Sequence, residues 1–229
     1  QRGEQREPED GPHTGLSFQQ EFPMHASSPK PGVRAVLGLA LLAALATPAW
    51  ADGYKQRNLV SDGGVPAAHV DPNLVNGWGV AFNPYGFVWV SAADGMKSTL
   101  YDGNGVVQSL VVDIPSPTMP TGGNPTGIVF NGSDGFVVMK SGVSGPARFL
   151  FATEQGVIAA WSPGVDLTHA IRVVNRAADG TSYKGLALSG DGLTQLLYAT
   201  DFFHAKIDVY DSQFHKLAPH RRGRRSQAL

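Results

Sequence analysis

One phrase recurs in this chain and limits what it can fold into: a residue, a glycine, a short apolar run, then a turn. It reads Trp78-Gly79-Val80-Ala81-Phe82-Asn83-Pro84, then Thr126-Gly127-Ile128-Val129-Phe130-Asn131-Gly132, then Lys184-Gly185-Leu186-Ala187-Leu188-Ser189-Gly190. The residues after each phrase are also alike. Val88-Trp89-Val90-Ser91 and Ser98-Thr99-Leu100-Tyr101-Asp102 come after the first. Leu197-Tyr198-Ala199-Thr200 and Lys206-Ile207-Asp208-Val209-Tyr210-Asp211 come after the third, and the stretch from Trp89 to Asp102 aligns without a gap on Tyr198 to Asp211. The middle unit carries Leu150-Phe151-Ala152-Thr153 and Val157-Ile158-Ala159-Ala160-Trp161 after a Gly- and Ser-rich insertion from Asn131 to Pro146.

Repeats of about 40–50 residues built only from short strands and turns are the signature of propeller blades. The chain therefore reads as all-β: a β-propeller of about three four-stranded blades from an incomplete six-bladed ring, spanning residues 52–217. A β-sandwich with coincidental repeats is the alternative. The glycine of each phrase lets its strand approach a neighbouring backbone closely, so Gly79, Gly127 and Gly185 are expected in equivalent places. Trp78, Phe82, Trp89, Phe130, Leu186, Leu188, Tyr198 and Val209 are expected between blades, and Tyr54 to Val60 reads as a further strand. An open arc of three blades leaves apolar end faces uncovered, which makes a poor monomer.

Composition agrees with a turn-rich β protein. The chain holds 28 Gly and 16 Pro, and beyond Ala51 its only Glu is Glu154. Cys is absent, so no disulfide helps to hold the fold. Acids and bases balance beyond Ala51, which gives no global basic field for nucleic acid.

Both ends depart from the repeat. Residues 1–23 are polar and aperiodic and read as an upstream leader. Residues 24–51 place Lys30 and Arg34 before the apolar run Ala35 to Ala46 and then Ala49-Trp50-Ala51. That order is a signal peptide, and the run is shorter than the about 20 residues a membrane span needs. Export to the periplasm or beyond is expected, with no transmembrane segment left after cleavage. Residues 218–229 hold Arg221, Arg222, Arg224 and Arg225 and read as a solvated, disordered basic tail of a truncated or out-of-frame chain.

Several segments carry a finer resemblance: Asn58 to Asp62 (NLVSD), Asp71 to Phe82 (DPNLVNGWGVAF), Ser98 to Val112, Phe151 to Trp161 (FATEQGVIAAW), Tyr183 to Leu188 and Lys206 to Phe214. The chain resembles the N-terminal part of a family of bacterial exported NHL-like propellers, some of which end in a PEP-CTERM sorting tail. The resemblance implies a fold and an address and no catalytic residues.

No motif carries a specific chemistry. Nucleophile elbow, P-loop, dinucleotide fingerprint, C-x-x-C and H-E-x-x-H are all missing. Lactonase-type propellers place Asn before the inner-strand glycine to reach a central Ca2+. Here those positions are Trp78, Thr126 and Lys184, a poor set for a hard cation. Glu154 and Asp201 read as equivalent positions after a second strand, where carboxylates do acid/base work, hold Ca2+ or merely close Asx-turns. His204 lies close enough to Asp201 to pair with it. Asp71, Asn73 and Asn76 precede the first blade, and Asn124 precedes the second. The expected function is binding of a protein or glycan ligand, with these seven residues as the candidate contacts and none assigned as catalytic or metal-bound. The alternative is a lactone or glycan hydrolase or lyase with a Ca2+ or acid/base site in the channel.

Overall fold

A computed structural model of the chain describes residues 54–190 and 194–218. The expected leader and signal peptide lie outside the described residues, as does the basic tail from residue 219 onward.

The described residues are all-β apart from one 3-10 turn at Ala177–Asp179. Two short strands, β1 (Val60–Ser61) and β2 (His69–Val70), pair in parallel. A four-stranded antiparallel sheet comes next, in the order β3 (Gly77–Phe82), β4 (Val88–Ala92), β5 (Lys97–Tyr101) and β6 (Val112–Asp113). The second sheet joins β7 (Pro125–Phe130), β10 (Phe149–Thr153), β11 (Val157–Trp161) and β12 (Ile171–Asn175) in that spatial order. Between its first two strands lies a hairpin, β8 (Val137–Lys140) with β9 (Val143–Pro146). The third sheet is β13 (Tyr183–Gly190), β14 (Gln195–Asp201) and β15 (Lys206–Asp211). None of these sheets closes on itself. Among the described residues, the last unit adds to these three strands only a single bridge, Tyr210 with Lys216.

The repeat is real in three dimensions. Phe82–Val88–Tyr101, Phe130–Phe149–Trp161 and Leu188–Leu197–Tyr210 are matching cross-strand rows in the three sheets. Ala81–Trp89–Leu100, Val129–Leu150–Ala160 and Ala187–Tyr198–Val209 are the rows one residue over, on the opposite faces. Each sheet thus has a head face, from the first set, and a tail face, from the second. Ala81, Trp89 and Leu100 share one core cluster with Phe149 and Trp161. Leu150 and Ala160 share another with Leu197 and Tyr210. So the tail of the first sheet packs on the head of the second, and the tail of the second on the head of the third.

This layering explains the sequence pattern. The middle sheet is covered on both sides, so β10 (FLFAT) and β11 (VIAAW) are buried at every position and read as continuous apolar runs. The glycines make the stack possible. A Cβ on Gly79 would run into the backbone of Thr126 and Ile128, and one on Gly127 would lie 2.7 Å from Leu186 N and 2.8 Å from Lys184 O. Inner strands β3, β7 and β13 therefore stack backbone to backbone through their glycines, as the phrase predicts.

Three expectations need correction. Phe82 is 71% exposed because it sits on the head of the first sheet, which no other sheet covers. Trp78 is 45% exposed, at a register shift in β3 beside Lys184 rather than between sheets. The segment from Tyr54 to Val60 is not a strand except at Val60, where β1 begins and pairs with β2 across a loop containing Gly63, Gly64 and Pro66. The Gly- and Ser-rich insertion in the middle unit forms the β8–β9 hairpin. Ser141 (φ 52°) and Gly142 (φ 83°) give its two-residue turn the left-handed conformation such turns require, and Phe136 and Val138 bury themselves in the second core cluster. Trp89 is buried as expected, while Phe130, Leu186 and Leu188 pack partly buried against the cores.

Candidate functional site

In each sheet the turn between the second and third strands lies beside the segment that enters the inner strand. Ala93 N donates to Asn76 O at 3.0 Å, Glu154 N to Asn124 O at 3.1 Å, and Phe202 N to Ser182 O at 2.9 Å. These three equivalent bonds mark one rim of the stack. The rim is laced between sheets: Asn124 Nδ2 donates to Ala93 O at 3.0 Å, and Lys184 pairs with Glu154 while its Nζ stands 4.8 Å from the Trp78 ring centroid.

Most of the residues singled out in the sequence fall on this rim, but several are structural. Asn76 is exposed in the left-handed region (φ 54°), which Asn tolerates better than most residues. Asn124 is fully engaged, since Gln155 Nε2 donates to its Oδ1 at 2.6 Å and its own N–H donates to Gln155 Oε1 at 2.9 Å. Asn73 accepts from Lys97 Nζ at 3.4 Å. Asp71 lies under the head face of the first sheet. It is 2% exposed, closes an Asx-turn onto Asn73 N at 2.9 Å, and accepts from Tyr101 Oη at 2.7 Å.

The register corrects one equivalence. Asp201 pairs with Tyr183 as Thr153 pairs with Pro125, so Asp201 matches Thr153, and Glu154 matches Phe202. The two carboxylates are therefore not a repeated pair, and Glu154 is neutralised by Lys184.

The structure does bring Asp201 and His204 together, with His204 Nδ1 2.6 Å from Asp201 Oδ2. Burial of Asp201 favours its neutral acid. Hydrogen bonds from the His204 ring and backbone and from Ser182 N outweigh that and hold its pKa below the usual carboxylate range. An ionised carboxylate only accepts, so Nδ1 is the donor of this bond. The same local pattern recurs at Asp166 with His169 (3.3 Å) and at Asp211 with His215 (3.2 Å). Pairing alone is thus a turn motif. What distinguishes Asp201 is its fully buried carboxylate and its neighbours, Phe202 and Phe203, which are 75% and 68% exposed. The Phe203 ring meets the His204 ring edge-on at 4.9 Å.

Behind this turn lies a network that the sequence reading missed. Asp208 accepts from Tyr183 Oη at 2.9 Å and from Lys216 Nζ at 2.7 Å, and Lys206 Nζ stands 3.4 Å from both Asp201 and Asp208. Burial favours the neutral acid of Asp208, but the bonds from Lys216 and Tyr183 hold its pKa down. Burial pushes the Tyr183 and Tyr210 phenols well up. The signal was present in the run Lys206-Ile207-Asp208-Val209-Tyr210, whose alternation puts the three polar side chains on one face. The first sheet has the same face, Lys97-Ser98-Thr99-Leu100-Tyr101, with Asp71 supplying the carboxylate from outside the strand. Among the described residues, no three His, Asp or Glu side chains gather as metal ligands. No helix among them is long and apolar enough to cross a membrane.

The chain is thus a protein of stacked antiparallel sheets with a laced polar rim and an exposed aromatic turn. No family model matches it. It is similar to two proteins of Acanthamoeba polyphaga mimivirus, "Uncharacterized protein R648" and "Uncharacterized protein L690", each 32% identical over 169 residues and covering 72% of this chain. A third mimivirus protein, "Uncharacterized protein R640", is 31% identical over 42% of it. The chain spans 40% and 43% of the length of the first two. These relatives correct the resemblance to a bacterial exported NHL-like family: the similar proteins are viral, and no family model supports that assignment.

Proposed function

We propose that this chain is a β-propeller-type binding domain whose rim takes a glycan. Support for the propeller comes from three equivalent sheets packed head on tail through inner-strand glycines. Support for binding comes chiefly from one observation: Phe202 and Phe203 stand exposed on a rim turn, next to the ordered Asp201–His204 pair. Two adjacent exposed rings on one turn make a contiguous apolar patch rather than a scattered surface residue. Exposed rings offer flat apolar faces to sugar C–H groups, and His204, Lys206 and the rim amides offer hydrogen bonds to hydroxyls. The test is a glycan array, then titration of any hit with wild type and with Phe202→Ala/Phe203→Ala. Retained thermal stability with at least about a tenfold loss of affinity, or about 1.4 kcal/mol, supports the reading. No binding to the array, or binding untouched by the double substitution, refutes it.

A hydrolase or lyase is the second reading, favoured by the 2.6 Å Asp201–His204 contact, which sets Nε2 as a general base. Turnover of lactone or glycan substrates that His204→Gln abolishes is its test. Export rests on Lys30, Arg34 and the run to Ala51, and N-terminal sequencing of secreted protein should begin at Asp52.

A further inference from the structure

Where the outer edges of the first two sheets meet, the chain builds a second concave site. β6 ends at Asp113, and there a short parallel bridge joins the sheets: Asp113 N donates to Thr168 O at 2.9 Å, and Ala170 N to Asp113 O at 2.9 Å. The chain then leaves β6 in a loop from Pro115 to Gly122 that folds back on itself. Ser116 N donates to Thr121 O at 3.1 Å, and Gly123 N to Ile114 O at 2.9 Å. Pro115, Pro117 and Pro120 fix φ along this loop. β12 ties it down: Arg172 Nη1 donates to Ser116 O at 2.6 Å and to Met119 O at 3.4 Å, and Asn175 Nδ2 to Pro117 O at 3.0 Å. Between this loop, the start of β12 and the end of β8 lies a cleft of about 300 Å³, at the small end of the range for ligand pockets.

The cleft has two kinds of wall. Pro115, Pro120 and Ile171 are apolar. Thr118, Lys140, His169 and Arg172 bring N–H and O–H donors from three separate segments. Lys140 pairs with Asp166, and the His169 ring lies 3.3 Å from Asp166 and 3.9 Å from Asp113. Arg172 differs from them. Among the described residues its Nη1 bonds only to loop carbonyls, which leave the charge uncompensated, and its Nε and Nη2 bond to nothing. Those two nitrogens form the edge by which a guanidinium grips a carboxylate through two parallel bonds. The carbonyl bonds hold that edge in place before a ligand arrives, which lowers the ordering cost of binding.

We propose that this cleft binds a small organic anion, a carboxylate on an apolar body, with the carboxylate on Arg172 and the body against Pro115, Pro120 and Ile171. The mixed lining favours such a ligand over inorganic phosphate, which would leave the apolar walls uncovered and bring up to two negative charges toward Asp113 and Asp166. The cleft shares no residue with the Phe202–Phe203 turn and does not depend on a glycan there.

The test is a titration of the isotope-labelled full chain with benzoate, followed through amide chemical shifts. The Ala170, Ile171 and Arg172 amides should shift saturably, with half-saturation below about 10 mM, the weak end for a ligand of so few atoms. Benzamide, which has the shape without the charge, and inorganic phosphate should each bind at least about tenfold more weakly. Arg172→Gln should weaken benzoate by about tenfold or more, and Arg172→Lys, which keeps the charge without the paired bonds, by less. Arg172 also holds the loop, so Asn175→Ala is the control: it frees Pro117 O and should leave benzoate affinity within about twofold. No saturable shift at these amides, benzamide or phosphate binding as tightly as benzoate, or equal losses in Arg172→Gln and Asn175→Ala would each overturn the proposal. Phe202→Ala/Phe203→Ala should bind benzoate as the wild type does, so failure here and failure of the glycan reading are told apart.

Discussion

Trp89 is the keystone of the first mated interface, and its removal has a calculable cost. The indole is 3% exposed, stacked on Phe149 at 4.1 Å and 23° between planes, and tilted against Trp161 at 4.7 Å. A buried aromatic hides about 200 Å². At about 25 cal/mol per Å² that is about 5 kcal/mol, an upper bound because the unfolded chain already hides part of it. The partners do not collapse freely: Phe149 is held by Phe130 at 5.4 Å, and the Trp161 indole N–H donates to Leu167 O at 3.0 Å. A cavity therefore remains, and Trp89→Ala should cost about 3–5 kcal/mol. For a domain of this size each kcal/mol is worth about 2–4 °C, so the melting temperature should fall by about 6–20 °C. Thermal and urea unfolding monitored by circular dichroism measure it. Trp89→Phe, which keeps one ring in the stack, should lose less than half as much and remain foldable if the alanine variant does not. Tyr85→Ala, at a 90% exposed turn position, should change stability by no more than about 0.5 kcal/mol. A Trp89→Ala effect no larger than that of Tyr85→Ala would refute the packing reasoning.

Gly127→Ala should destabilise strongly, since its Cβ meets the β13 backbone at 2.7 Å, whereas Gly164→Ala, with nothing within 4 Å, should be neutral in the same melts. Asp166 is one pH-sensitive group: burial opposes its ionisation, but bonds from Lys140, Thr168 N and His169 hold its pKa down at about 2. Its folded pKa lies below the ordinary Asp value, so its contribution is present above about pH 4 and is lost as pH falls toward 2. Acid titration of stability should show that loss in the wild type and a weaker one in Asp166→Asn. Tyr183→Phe removes a donor from buried Asp208 and should cost about 1–3 kcal/mol by urea unfolding; a smaller loss would mean that the lysines alone satisfy the carboxylate.

The three inner strands of each unit were legible because the repeat wrote them out three times, whereas the outer strands β6 and β12 and the β8–β9 hairpin lie outside that repeat. The Gly phrase located every inner strand, and the continuous runs Phe149–Thr153 and Val157–Trp161 marked the sheet buried on both faces. Which apolar residues are buried was less legible, because it depends on whether a neighbour exists. Phe82 and Phe130 occupy the same row, yet only Phe130 has a sheet to pack on. The rim residues were found by their type, but their roles depended on register. A one-residue offset separates Glu154 from the position of Asp201, and spacing in the sequence does not reveal it. The Tyr183–Asp208–Tyr210 network joins strands 25 residues apart or more; only the polar face of Lys206 to Tyr210 pointed to it.

The stack of equivalent sheets through their glycines is tested most directly by a nuclear Overhauser spectrum of isotope-labelled chain. The Gly79 Hα protons should show cross-peaks to the Ile128 amide, and the Gly127 Hα protons to the Leu186 amide, because each glycine lies against the next inner strand. Cross-peaks from both glycines confined to their own sheets, β3 with β4 and β7 with β10, would contradict it.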